Sequence, residues 1–127
     1  MSKEELTEAL FECVINGCEK TIDYIIKNLN PDFINNSNEF ILTYALDGSS
    51  VSTFKLLLSY KAIDPCYNEY EVLKKASSSG DQRMVILLLN DSRVKPSVDI
   101  INECIDYAGM WCFNDVIRLL KSYLKTL

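Results

Sequence analysis

The most reactive side chains of this chain are its five cysteines: Cys13, Cys18, Cys66, Cys104 and Cys112. A thiolate can serve as a nucleophile, a metal ligand or half of a disulfide, and each role needs a second group at a suitable spacing. No CxxC pair and no Cys/His cluster occurs, and the chain has no histidine at all. A cysteine nucleophile would therefore lack its usual activator, and histidine-based acid–base or triad catalysis is excluded. The odd number of cysteines and the lack of zinc-ligand spacing argue against a disulfide framework and a metal site. Reduced thiols are the expectation, with Cys13 acting as a small core hydrophobe. Cys18 and Cys112 occupy equivalent places in the repeat pattern described below. In a stack of helical layers that equivalence places them too far apart to bond.

The other candidate groups carry equally little chemistry. The carboxylate pairs Glu4/Glu5 and Glu69/Glu71 read as helix-start charges that complement the helix dipole. Lys74-Lys75 could make a basic spot for an acidic ligand, but two lysines on a helix ordinarily form a solvated face. The chain has four glycines, Gly17, Gly48, Gly80 and Gly109, and each falls between two helical stretches, so no phosphate-cradling loop remains. No catalytic residue, cofactor site or metal site is expected.

What would position these groups is a repeat. In Val72 to Pro96 two short apolar-faced stretches flank Gly80, the first with Val72, Leu73 and Ala76, the second with Val85, Leu88 and Leu89. The pair Leu73/Ala76 recurs as Leu10/Cys13, Leu42/Ala45 and Ile105/Ala108, every 31 or 32 residues. The second stretch recurs as Ile22/Ile25/Ile26, Phe54/Leu57/Leu58 and Val116/Leu119/Leu120. In the fourth copy Ala108 to Val116 is eight steps, where Ala76 to Val85 is nine. A period of this length means stacked helical units, none of which is stable alone.

Composition sets the limits. With 127 residues, 48% of them hydrophobic and 24% charged, the chain has the makings of one globular domain. A net charge of −5, with the 13 basic residues dispersed, argues against nucleic acid or an anionic membrane surface as partner. No apolar run reaches the ~18–20 residues of a membrane span. The start, MSKEELTEAL, lacks the basic and apolar regions of a signal peptide, which points to an intracellular, cytoplasmic protein.

The local signals predict eight helices and no strand. Ser2-x-x-Glu5 is a capping box for the first helix, to about Asn16, and the second runs from about Glu19 to Leu29. After a loop with Pro31, Asn38 caps a helix over about 39–47, and Ser50 caps one reaching Tyr60. Asp64-Pro65 makes a turn, and Asn68-x-x-Glu71 is a capping-box-like start for the third unit, with Asn68 as its cap. Asp81 caps its second helix, Asp99 caps a helix over 100–108, and Asn114 opens the last, to about Leu124. Trp111, the single tryptophan, is expected to plug the end of the stack.

The period, the Leu-x-x-Ala pair, the glycine turn and the V-x-x-LL helix before an extended loop resemble ankyrin repeats. The stretch ASSSGDQRMVILLLNDSRVKPS is especially similar to the divergent repeats of amoebae and their giant viruses. The resemblance covers about residues 6–124 and departs from the family in lacking any Thr-Pro-Leu-His opening. It implies an all-α, short α-solenoid of about four ankyrin-like helix–turn–helix repeats, at about 6–37, 38–67, 68–98 and 99–127, within a single domain over 1–127. A tetratricopeptide array would show a 34-residue period and bulky aromatics at set positions, which are missing.

The function implied is non-enzymatic protein–protein interaction, with an unidentified protein partner on the concave face built by the first helices. In a virus or intracellular pathogen this would be a host-targeting adaptor in the host cytoplasm, and the Asn/Ile/Lys/Tyr-rich composition fits an AT-rich genome. Internal comparison narrows the surface. The column Glu12, Tyr44, Lys75, Tyr107 and its neighbour Phe11, Thr43, Lys74, Asp106 change chemistry at each repeat while the core columns stay apolar. Partner binding is therefore expected at Phe11, Glu12, Tyr44, Lys74, Lys75 and Tyr107, with Phe33 and Tyr67 extending the face at its edge. The alternative is a self-associating structural protein, a homodimer pairing through an exposed end of the stack.

Overall fold

The computed structural model describes residues 3–28, 41–48 and 50–127. Ser2, Pro31, Phe33 and Asn38, singled out above, lie outside the described residues. Eight helices are present among them: α1 (Lys3–Asn16), α2 (Glu19–Asn28), α3 (Ile41–Gly48), α4 (Val51–Leu58), α5 (Tyr67–Ser78), α6 (Gln82–Asn90), α7 (Val98–Met110) and α8 (Asn114–Leu124). The described residues contain no strand. The helices form four consecutive pairs, and the chain clusters into two compact units, Met1–Asp64 and Pro65–Leu127.

Each unit is built from two pairs, and in each the first helices of the pairs pack on one another. In the first unit α1 packs on α2 and α3, and α3 packs on α4. Ile22 at 0%, Ile25 at 3% and Ile26 at 4% exposure show that the i, i+3, i+4 spacing of α2 is its core stripe. Phe54 and Leu57 of α4 are fully buried. In the second unit α5 packs on α6 and α7, while α8 packs on α7 and α6. Val72, Leu73, Ala76, Val85 and Leu88 are buried there, as the repeat predicts. Burying a Leu or Ile side chain contributes ~1.5–3 kcal/mol, which is how helices this short are held.

The turns inside three of the pairs share one backbone device. After α1, the Gly17 amide donates to the Val14 carbonyl and the Cys18 amide to the Cys13 carbonyl at 2.9 Å. After α5, Gly80 bonds to Ser77 and Asp81 to Ala76; after α7, Cys112 bonds to Gly109 and Phe113 to Ala108. This is the Schellman ending, which satisfies helix-end carbonyls and places one residue in the left-handed region. That residue is Gly17 (φ 72°), Gly80 (φ 70°) and Cys112 (φ 57°). The fourth glycine, Gly109, instead lies within α7. Measured from the small-residue column of the first helices, Cys18 therefore matches Asp81 and Phe113. Its apparent equivalence with Cys112 holds only when counted from the second helices.

Capping accounts for most helix starts, with two corrections. Ser50 accepts from the Thr53 amide, and Asp81 accepts from the Met84 amide, as expected. The cap of α7 is Ser97, whose hydroxyl accepts from the Ile100 amide at 3.3 Å. Asp99 lies inside the first turn, so it complements the dipole and does not close the end. At α5 the expected Asn68 cap is replaced by a left-handed turn, since Asn68, Glu69 and Tyr70 have φ of 54°, 55° and 63°. Such a conformation costs L-residues ~1–2 kcal/mol each. Tyr70 is half-buried there, and burial, with the nearby Cys66 thiol, raises its pKa. Trp111 does not plug a packed face, being 66% exposed. Phe113, one residue past the left-handed Cys112, turns inward onto Gly80 in its place.

Polar bonds fasten the connections. In the first unit the Tyr60 hydroxyl donates to Asp23 Oδ1 at 2.6 Å, tying the segment after α4 to α2. Lys27 also bonds Asp23, and the two partners hold its carboxyl below the usual range. In the second unit Asp91 accepts from the Arg93 amide at 2.9 Å and from its guanidinium at 2.9 and 3.0 Å. The Arg93 guanidinium lowers the Asp91 pKa, and the Cys66 thiol donates to the Arg93 carbonyl.

Candidate functional site

On the first helices, the side chains outside the core display different chemistry in the two units. In the first unit Phe11 of α1 and Tyr44 of α3 meet with ring centroids 4.7 Å apart, tilted by 47°. Such a pair is worth ~0.5–1.5 kcal/mol beyond its buried area. Both rings are half-buried, and Glu12 beside them is exposed. Thr43, in the column next to Tyr44, is buried.

In the second unit α5 and α7 flank a cleft of about 440 Å³ lined by Asn68, Glu69, Glu71, Lys74, Lys75, Ser78 and Tyr107. The Lys74 ammonium lies 3.0 Å from Glu103 of α7, and this bond raises the lysine pKa. Lys75 is half-buried and Tyr107 is 39% exposed, so the phenol stands over the cleft with its ring accessible. Tyr67, at the start of α5, is half-buried and outside the cleft lining. The lining offers ammonium donors, carboxylate acceptors and one aromatic platform. That set suits a polar chain with an apolar anchor.

Of the residues singled out in the sequence, the structure thus brings together Phe11 with Tyr44, and Lys74 and Lys75 with Tyr107. Phe33 lies outside the described residues. Sequence reasoning missed Glu103 and the cleft lining of Asn68, Glu69 and Glu71. Glu103 lies one turn before Asp106 in its helix, so opposite charge one turn off the column was the available signal. Nothing local announced the left-handed turn that carries Asn68 and Glu69. No helix is long and apolar enough to cross a membrane, and no cluster of three or more metal-ligating side chains occurs, both among the described residues.

Paired short helices, repeated turns and first-helix faces left free of the core define a short helical-repeat protein. A family model described as ankyrin repeats (3 copies) matches residues 10–100. The chain belongs to the ankyrin-repeat family. Ankyrin repeats are generic protein–protein interaction modules, typically without enzymatic activity, and no catalytic family is indicated. Neither a curated protein nor a solved structure matches the chain.

Proposed function

We propose that the chain is a non-enzymatic binding module whose four helix pairs make one ankyrin-repeat domain over 1–127. Its protein partner docks on first-helix surfaces: Phe11, Glu12 and Tyr44 in the first unit, Lys74, Lys75 and Tyr107 in the second. The observation that carries this reading is the α5–α7 cleft, where the accessible Tyr107 stands beside Lys75 and the Lys74–Glu103 pair. Tyrosine suits such a role because it brings a large area and a polar tip with few rotamers to freeze. Phe33 and Tyr67 would extend the surface. In a virus or intracellular pathogen, the same module would serve as a host-targeting adaptor in the host cytoplasm.

The test uses a partner captured by the wild-type chain, its affinity then measured against variants. Tyr107→Ala and Lys75→Ala should each weaken binding by more than ~1 kcal/mol while the melting temperature stays within a degree or so of wild type. Unchanged affinity in both would move the interface away from this cleft.

Self-association is the second reading, favoured by the α7–α8 turn, where Met110 is 72% and Trp111 66% exposed. Sedimentation analysis separates the two. A monomer at working concentration removes the second reading, and a dimer abolished by Trp111→Ser would support it.

A further inference from the structure

The Schellman ending does more at α1 than at the other two turns. In this motif the side chains of the residues joined by the longer bond meet across the turn. After α5 those residues are Ala76 and Asp81, after α7 they are Ala108 and Phe113, and after α1 they are Cys13 and Cys18. The bond from the Cys18 amide to the Cys13 carbonyl is 2.9 Å long. Two Cα atoms joined by such a bond are spaced within the ~4.4–6.8 Å that a disulfide spans. The Cys18 thiol is also close enough to raise the Cys13 pKa.

We infer that Cys13 and Cys18 form a reversible dithiol/disulfide site that closes the α1–α2 turn under oxidising conditions. Cys18 is exposed and Cys13 is half-buried, which assigns the two roles. Burial and the neighbouring thiol raise the Cys13 pKa, in keeping with Cys18 as the sulfur that reacts first. With a peroxide as oxidant, the Cys18 sulfur attacks the nearer oxygen. The O–O bond breaks, and the leaving hydroxide takes up the thiol proton as water. Cys18 is now a sulfenic acid. The Cys13 sulfur then attacks that sulfur, the S–S bond forms, the S–O bond breaks, and a second water carries off the Cys13 proton. Two electrons and two protons have passed from the thiols to one peroxide. A dithiol reductant reverses the step by thiol–disulfide exchange.

The other cysteines supply internal controls. Cys104 is fully buried, and burial pushes its thiol up to about 11. Cys66 is half-buried and donates to the Arg93 carbonyl. Cys112 is exposed like Cys18 but holds the left-handed position of its turn, opposite no cysteine in that motif.

The test exposes the full-length chain to hydrogen peroxide at low molar excess, blocks remaining thiols with iodoacetamide, and reads intact and peptide masses. The expected product has lost the mass of two hydrogens and resists alkylation at Cys13 and Cys18 only, while dithiothreitol restores both. Cys13→Ala, which installs the residue of the equivalent turns, and Cys18→Ser should each abolish that loss. If Cys18 is oxidised while Cys13 stays alkylatable in the wild-type chain, the pair is not a disulfide site. The inference also fails if Cys18 and Cys112 disappear in parallel into intermolecular disulfides, or if Cys13→Ala still loses two hydrogens.

Discussion

The two units follow one backbone plan and end in different surfaces. In each, two first helices pack together and bury most of the Leu-x-x-small columns. Leu10, Leu42 and Ala45 are buried in the first and Leu73, Ala76 and Ala108 in the second, while Cys13 and Ile105 are half-buried. Above that common floor, the first unit sets an aromatic pair, Phe11 against Tyr44, and the second a charged cleft in which Lys74 reaches Glu103. The difference shows where the fold constrains the sequence. Inward columns are mostly apolar because the two first helices of each unit cover one another. Outward columns bear no such demand and are free to diverge in chemistry.

The sharpest way to break this comparison is to attack the shared floor. Leu57 in the first unit and Leu88 in the second are both 0% exposed. Leu57→Ala and Leu88→Ala should each cost ~2–5 kcal/mol in chemical denaturation, while exposed Lys55→Ala should cost less than ~0.5 kcal/mol. A Leu57 variant no worse than the Lys55 control would show that the core columns of the two units are not equivalent.

The turns offer a finer contrast of the same kind. A Cβ on Gly80 would stand 2.6 Å from the Phe113 ring, whereas one on Gly17 would find its nearest neighbour, Thr53 Oγ1, at 3.8 Å. Both positions have left-handed φ, so alanine costs ~1–2 kcal/mol at either. Overpacking against Phe113 should raise the loss in Gly80→Ala to ~2–4 kcal/mol. Adding Phe113→Leu to Gly80→Ala should recover part of that extra loss, and equal losses at the two glycines would show that Phe113 does not press on the turn.

A smaller and pH-dependent effect is expected at the loop after α6. Arg93 lowers the Asp91 pKa below its unfolded value, near ~3.9. The carboxylate therefore contributes stability above about pH 4, and that contribution is lost as pH falls through the depressed native pKa. Asp91→Asn should cost ~1–2 kcal/mol at pH 7, and the gap to wild type should shrink below pH 4. A gap that stays constant down to pH 2 would mean that the Asp91 charge is not involved.

Much of the fold was legible in the sequence, and particular residues show where legibility stopped. The columns Leu42/Ala45 and Leu73/Ala76 were readable because each unit buries the same stripe, whereas Cys13, expected as a small core hydrophobe, is half-buried at the turn. Ser50 and Asp81 were readable as caps because their side chains act within three residues. Asp99 was misplaced by two positions because Ser97 competes for the same role on local signals alone. The candidate surface was legible as columns that vary, but the Lys74–Glu103 bond and the cleft lining were not. They depend on how α5 and α7 pack, which no local spacing specifies.

The sequence by itself determined the helical period, the four-fold repetition, the apolar stripes and the absence of histidine-based chemistry. These follow from residue type and spacing, which act along the chain. Tertiary structure decided which residue of each turn goes left-handed, since Cys112 takes in the last pair the place that glycine holds in the first and third. It also decided that Phe113 turns inward, its ring lying against Gly80, while Trp111 stays exposed. The meeting of Cys13 with Cys18 was settled the same way. Five positions apart along a continuing helix, they would lie on different faces, and the reversal at Gly17 brings the Cys18 backbone back to Cys13.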